Sequence, residues 1–319
     1  MKAIICTKYG PAEVLQLKEV NKPSPKRDEV CIKICASAVT ASDIYIRSSQ
    51  LPLRFRIPMR LFLGFTKPRK SIIGMVVAGE IEAVGKDITR FRAGDQVYGV
   101  TGFGLGAYAQ YKCMKETDSM HGCLSLKPAN ISYEEATAAA YGGLLALQRI
   151  EAGNIQRGQH VLIYGASGTA GTLAVQLAKY YGAQVTGVCS TRNLDFVKAL
   201  GAHKAIDYTQ SDVGNLTDHY DFMLDTAGKA KRSPTKERCM QMLRADGKYI
   251  SIDDGKLELK AERLMKIKAL IEAGHIKPVV DRIYPMDQIV EAHEYVEQGR
   301  KRGGVAITIE HTITIEHTD

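Results

Sequence analysis

The chain has 319 residues, of which 45% are hydrophobic and 24% charged, the balance of a globular protein with one large or two ordinary domains. Its net charge of +8 is not accompanied by paired Cys/His fingers or by aromatics interleaved with a basic run, so a nucleic-acid partner is not expected. Seven scattered cysteines exclude a disulfide framework, and no stretch approaches the ~18 uncharged apolar residues of a membrane span. With no apolar leader before a small-residue cleavage site, the expected location is cytoplasmic.

In chain order, the first part reads as strands and turns. Met1–Cys6 is a short apolar run, and Val30, Ile32 and Ile34 alternate with Cys31, Lys33 and Cys35. Met75–Gly85, Gln96–Val100 and Tyr108–Cys113 add β-rich runs, punctuated by Gly94-Asp95, Gly102 and Gly104. From His160 the rhythm changes. A strand at His160–Tyr164 leads through a glycine-rich turn into a helix at Ala170–Tyr181, stopped by Gly182. Strands then follow at Gln184–Val188, His203–Asp207, Asp221–Asp225 and Lys248–Ile252, with helices at Leu194–Leu200 and Thr235–Leu243. This alternation predicts an α/β domain with a doubly wound parallel sheet. Two helices, at Glu262–Ala273 and Gln288–Glu297, and a strand at Val305–Ile309 complete the chain. A direct repeat of Ile-Thr-Ile-Glu-His-Thr at 307–312 and 313–318 is assigned no role.

The strongest local signal is Gly165-Ala166-Ser167-Gly168-Thr169-Ala170-Gly171, between a strand and a helix. Gly165 permits the tight turn, Gly168 lets the backbone approach a pyrophosphate, and Gly171 allows close helix–strand packing. The helix N-terminus offers free N–H groups to phosphate oxygens. At the end of the next strand an NAD site places Asp or Glu, about 20 residues on. Here stand Ser190, Thr191 and Arg192, with no carboxylate before Asp195. These residues can hydrogen-bond a 2′-phosphate, which favours NADPH (NADP when oxidised), although Arg192 also reads as a solvated helix-start residue.

The chain resembles the medium-chain dehydrogenase/reductases, closest to the zinc-independent quinone oxidoreductase (zeta-crystallin-like) branch. Ala78–Gly85 continuing to Phe91–Gly99 is similar to that family's A-G-x-V-x-x-V-G…F-x-x-G-D-x-V segment. Gly165–Gly171, Gly201-Ala202 with Ile206-Asp207-Tyr208, and Asp225-Thr226-Ala227-Gly228 match further motifs in the family's order. The resemblance implies a GroES-like β-rich catalytic domain over 1–120 and 262–319, a Rossmann NADPH-binding domain over 121–261, and an active site in the cleft between them. It implies cofactor contacts at Tyr208 and Thr226. It also implies Tyr45, in Asp43-Ile44-Tyr45-Ile46-Arg47, and Thr40 on the substrate side; Tyr45 reads equally as a packing residue, Tyr208 equally as an exposed turn residue, and Asp43 and Arg47 as a helix pair.

Zinc-dependent relatives carry a Cys where this chain has Thr40, and G-H-E where it has Gly74-Met75-Val76. Met and Val supply no thiolate, imidazole or carboxylate, so no metal is expected there. Cys113, His121 and Cys123 have the wrong spacing for a structural zinc and read as loop residues. Thr40, Leu145 and Val76 depart from the branch's usual Asn, Thr and acidic residue.

Gln50–Ser71 is longer than in the branch and holds six basic residues and no acid. It reads first as a packed excursion with solvated charges, second as a lid, third as a peripheral membrane contact. The passage between Ser251 and Glu262 is short, and Leu257–Lys260 reads as a remnant strand, leaving a homodimer open. The expected function is zinc-independent transfer of hydride from NADPH to a small quinone or α,β-unsaturated carbonyl. The rival is an NADPH-binding sensor with little catalysis.

Overall fold

A computed structural model describes residues 1–49, 60–61, 63–210 and 219–311. Its strands and helices, in chain order, are β1 (Lys2–Cys6), β2 (Leu15–Glu19), β3 (Glu29–Ala38), α1 (Ala41–Ser48), β4 (Val76–Val84), β5 (Gln96–Val100), β6 (Tyr111–Lys115) and β7 (Cys123–Leu126). After them come α2 (Tyr133–Gly153), β8 (His160–Tyr164), α3 (Thr169–Tyr180), β9 (Gln184–Cys189), α4 (Leu194–Ala199), β10 (Lys204–Asp207), β11 (Tyr220–Asp225), α5 (Pro234–Gln241) and β12 (Leu243–Ser251). The chain closes with α6 (Ala261–Glu272), β13 (Val280–Pro285), α7 (Ile289–Glu297) and β14 (Gly304–Thr308).

The chain divides into two units. One holds residues 1–124, 282–299 and 305 onward; the other holds 125–281 and 300–304. The first is built on a sheet of order β13-β14-β3-β4-β5-β7, with β6 also paired to β3. β3 is its central strand and is buried along most of its length, because β4 covers one edge while β6 and then β14 cover the other. Its side chains Val30, Ile32 and Ile34 enter a core with Val77, Ile81, Val97, Leu124 and Val305. The second unit carries a parallel sheet of order β10-β9-β8-β11-β12, the doubly wound arrangement that alternating strands and helices predict. Both expected architectures are present.

The boundaries differ from those expected at 120 and 261. α6 belongs with the parallel-sheet unit because its buried face, Leu264, Ile267 and Ile271, packs on α2. Gly143 makes room for Ile267, and Lys266 and Arg263 reach Glu151 of the same helix. α2 itself has no counterpart among the predicted elements. Its start is a capping box, with Ser132 accepting from the Glu135 N–H and Glu135 accepting from the Ser132 N–H. Leu257–Lys260 forms no strand; the Gln148 side chain accepts from the Glu258 N–H and donates to the preceding Lys256 O. Cys113 and Cys123 lie in β6 and β7 rather than in loops.

Residues 50–59 and 62 of the basic segment lie outside the described residues, as do all but the first five of the repeated residues at the C-terminus. Of the segment's basic side chains, Arg60 donates to Ser49 and Lys70 caps the carbonyls of Phe103 and Gly104. No described helix is long and apolar enough to cross a membrane.

Candidate functional site

β8 ends at Tyr164, and the chain turns through Gly165 at φ +80°, a conformation that only glycine adopts without strain. The Gly165 and Ala166 N–H groups both donate to Val188 O at 3.0 Å, tying the turn to β9. Gly171 needs its missing Cβ for packing, since that atom would lie 2.2 Å from Gly165 O. Gly168 differs. A Cβ there would meet only Gly165 O at 3.5 Å, so its outer side is open. No side chain caps α3, so its first N–H groups have no side-chain acceptor.

Two basic residues from the far end of the chain lie beside this turn. Gly303 donates to Ser167 O at 2.9 Å, seating the 300–304 segment on it. The Lys301 ammonium donates to Thr169 Oγ1 and to Gly303 O. Burial pushes Lys301 down to about 8. A cation at a helix N-terminus opposes the helix dipole, an arrangement that an incoming anion relieves. Arg302 Nε donates to Asn193 Oδ1 at 2.6 Å, and its guanidinium also reaches Arg192 O at 2.7 Å. Asn193 in turn donates to both Ser167 Oγ and Ser190 Oγ, each at 3.1 Å. The structure thus gathers Ser167, Ser190, Arg192, Lys301 and Arg302 around one turn. Lys301 and Arg302 are more than 100 residues distant in sequence, and no local motif signals them.

Other expected residues have different occupations. Thr191 donates to Asp207, so an acid from the end of β10 stands where the local sequence shows none. The Arg192 side chain is turned to Arg300 O. Tyr208 is exposed, with its carbonyl accepting from Thr235. Thr226 Oγ1 lies 2.8 Å from Tyr164 O and 2.9 Å from Gly165 O, joining the ends of β8 and β11. Behind it Asp225 is fully buried, paired with Lys236, and accepts from Tyr249 OH at 2.9 Å and from the Ala227 and Gly228 N–H groups.

In the first unit, Thr40 is the N-cap of α1. It accepts from the Asp43 N–H and donates its hydroxyl proton to Asp43 Oδ2 at 2.6 Å, so its remaining capacity is that of an acceptor. Burial pushes Asp43 up to about 6, against the hydrogen bonds from Thr40. Asp43 and Arg47 do not form the expected helix pair. Arg47 is fully buried, donates to Gly10 O at 2.7 Å and pairs with Glu297 of α7. Tyr45, by contrast, is about half exposed. Val76 is buried and Leu145 half-buried.

The first unit matches the family model described as alcohol dehydrogenase GroES-like domain, over residues 26–125. Models described as zinc-binding dehydrogenase match residues 170–273 and 256–307. The chain is 31% identical over 322 residues to a 2-methylene-furan-3-one reductase of Solanum lycopersicum, covering 96% of this chain and 79% of the relative. It is 30% identical to a chloroplastic quinone-oxidoreductase of Triphysaria versicolor, covering 96% of this chain and 98% of that one. A solved quinone oxidoreductase structure from Coxiella burnetii superposes with a TM-score of 0.81 at 25% identity, covering 97% and 99% of the two chains. With a GroES-like unit, a glycine-turn Rossmann unit and relatives of this extent, the chain belongs to the medium-chain dehydrogenase/reductase superfamily, in its quinone oxidoreductase branch.

Proposed function

We propose that the protein is a zinc-independent reductase that uses NADPH to reduce quinones or α,β-unsaturated carbonyls. The observation that carries this reading is the open, uncapped turn at Gly165–Gly171 with Lys301 and Arg302 beside it. The N–H groups at the start of α3 suit the diphosphate of a dinucleotide. Ser190, Arg192 and Arg302 suit an additional 2′-phosphate, because charge-assisted hydrogen bonds from guanidinium to phosphate are strong and directional. Asp207 weighs the other way, as an acid near that position, but it is already occupied by Thr191 and Thr209.

When bound, the nicotinamide supplies the hydride; the protein supplies position and electrostatics. Thr40 and Tyr45 are the substrate-side candidates. Tyr45 presents an exposed phenol as a donor. Thr40, its proton directed to Asp43, accepts rather than donates. The residues at the zinc-ligand positions, Thr40, Met75 and Val76, supply no ligand set, which supports hydride transfer without a metal-stabilised alkoxide. The relatives named 2-methylene-furan-3-one reductase and quinone-oxidoreductase support the substrate class.

The test is oxidation of NADPH and NADH, in parallel, against a panel of quinones and enones with a chelator present. Turnover with NADPH, unchanged by chelation, is expected. Preference for NADH would remove the phosphate-site argument, and loss of turnover on chelation would remove zinc independence.

A further inference from the structure

Cys31 of β3 and Cys113 of β6 face each other directly across an antiparallel ladder. Their position in that ladder is fixed by the bond from the Ile34 N–H to Gln110 O at 2.9 Å. Ile34 and Gln110 are therefore a hydrogen-bonded pair. Since such pairs alternate with non-hydrogen-bonded ones, Cys31 and Cys113, three residues along each strand, are a non-hydrogen-bonded pair. Cα atoms in such a pair lie about 4.5 Å apart with side chains on the same face. This falls within the roughly 4.4–6.8 Å that a disulfide spans, so the backbone need not move. The two thiols lie close enough to perturb each other's protonation.

We infer that Cys31 and Cys113 are a modification site: a cross-strand dithiol that closes to a disulfide when the protein meets a peroxide. Cys113 is partly exposed and Cys31 is buried. One sulfur of the pair, as its thiolate, attacks one peroxide oxygen, the O–O bond breaks, and the leaving oxygen takes up the proton given up by that thiol and departs as water, giving the sulfenic acid. The other sulfur then attacks the sulfenic sulfur, the S–O bond breaks, and the displaced hydroxide takes up the second thiol's proton and departs as a second water. Two thiols lose two electrons and two protons, and one peroxide is reduced to two waters. The interaction with Cys113, helped by Lys22, holds the Cys31 thiol below its ordinary range against burial and Glu82, while the same interaction and burial push Cys113 up, so Cys31 is the more acidic of the two. In contrast, burial pushes Cys6, Cys123, Cys189 and Cys239 up to between about 11 and 12.

The experiment treats the native full chain with hydrogen peroxide, alkylates the remaining thiols under denaturing conditions, and maps peptides with and without a reductant. The expected result is one reductant-reversible link joining the Cys31 and Cys113 peptides, with two fewer alkylated thiols per chain. Cys35→Ser, which removes the neighbouring partly exposed thiol, leaves that link unchanged. Recovery of Cys31 as a free thiol while Cys113 is oxidised to sulfinic acid would overturn the inference, as would a link from either cysteine to a different partner or no oxidation at either.

Discussion

The turn at Gly165–Gly171 and the start of α1 treat their polar groups in opposite ways. At the turn, backbone donors at the head of α3 carry no cap, and a lysine sits against the positive end of the helix. Around α1 the polar side chains pair among themselves, Thr40 with Asp43, Arg47 with Gly10 and Glu297, Tyr108 with Ala38 and His293, yet Asp43 Oδ1, Arg47 Nε and His293 Nδ1 are buried without a hydrogen-bond partner among the described residues. The first arrangement is costly alone and is relieved by an anion. The second fixes the helix that carries Tyr45. The two differ in where hydrogen-bonding capacity is left over: on backbone donors at a helix start in the one, on buried side-chain atoms in the other.

The comparison breaks most severely if the support behind the turn is removed. Lys236→Met strands the fully buried Asp225 carboxylate, and a loss of about 3–5 kcal/mol in denaturant-unfolding stability is expected. A loss under ~1 kcal/mol would show that Lys236 is not what holds the Asp225 side chain in place. The next effect is on binding. Arg302→Gln removes a charge-assisted donor beside Ser190, so the NADPH dissociation constant should rise about 10- to 100-fold by titration, with that for NADH nearly unchanged. Equal losses for both cofactors would place Arg302 away from the 2′-phosphate. Gly171→Ala should cost about 1–3 kcal/mol, because the new methyl meets backbone atoms that cannot step aside. In Gly168→Ala the new methyl makes only an ordinary contact, 3.5 Å from Gly165 O, and the change should keep stability while weakening either cofactor.

On the scaffold side, burial pushes His293 down to about 3 from the usual 6.5. The unfolded chain therefore binds a proton that the folded chain does not, and this group makes stability fall as pH drops from 6.5 towards 3. Asp43, raised from 3.8 to about 6, acts in the opposite sense: the folded state holds its proton more tightly, so its stabilisation is greatest below 3.8 and is lost as pH rises through 6. His293→Gln keeps a donor towards Tyr108 and removes the titration, so unfolding midpoints of the variant should fall less on acidification than those of the wild type. Parallel pH profiles would show that His293 is charged in the fold. The smallest effect is Thr40→Ala, which removes the α1 cap and should cost about 1 kcal/mol.

Residues whose role depends on the backbone were legible in the sequence. Gly165 and Gly171 announce a turn and a close approach, and the alternation of strands and helices announces the parallel sheet. Thr40 and Asp43, three residues apart, also spell a capping box, and Asp43 turns to Thr40 rather than to Arg47. The start of α2 carries the same signature in Ser132 and Glu135, but its alanine- and glycine-rich body lacks a polar face, because the helix is buried along most of its length. Arg302 and Lys301 were not legible. Their role comes from a return of the chain to the turn after more than 100 residues, and nothing local encodes that return. The same distance hides Asp207, which Thr191 meets only once β9 and β10 are paired.

The most direct test of the central claim is the ratio of initial rates with NADPH and NADH at equal concentration, using one enone substrate and a chelator throughout. The account predicts a ratio well above one in the wild type, falling towards one in Arg302→Gln. A wild-type ratio at or below one would contradict it.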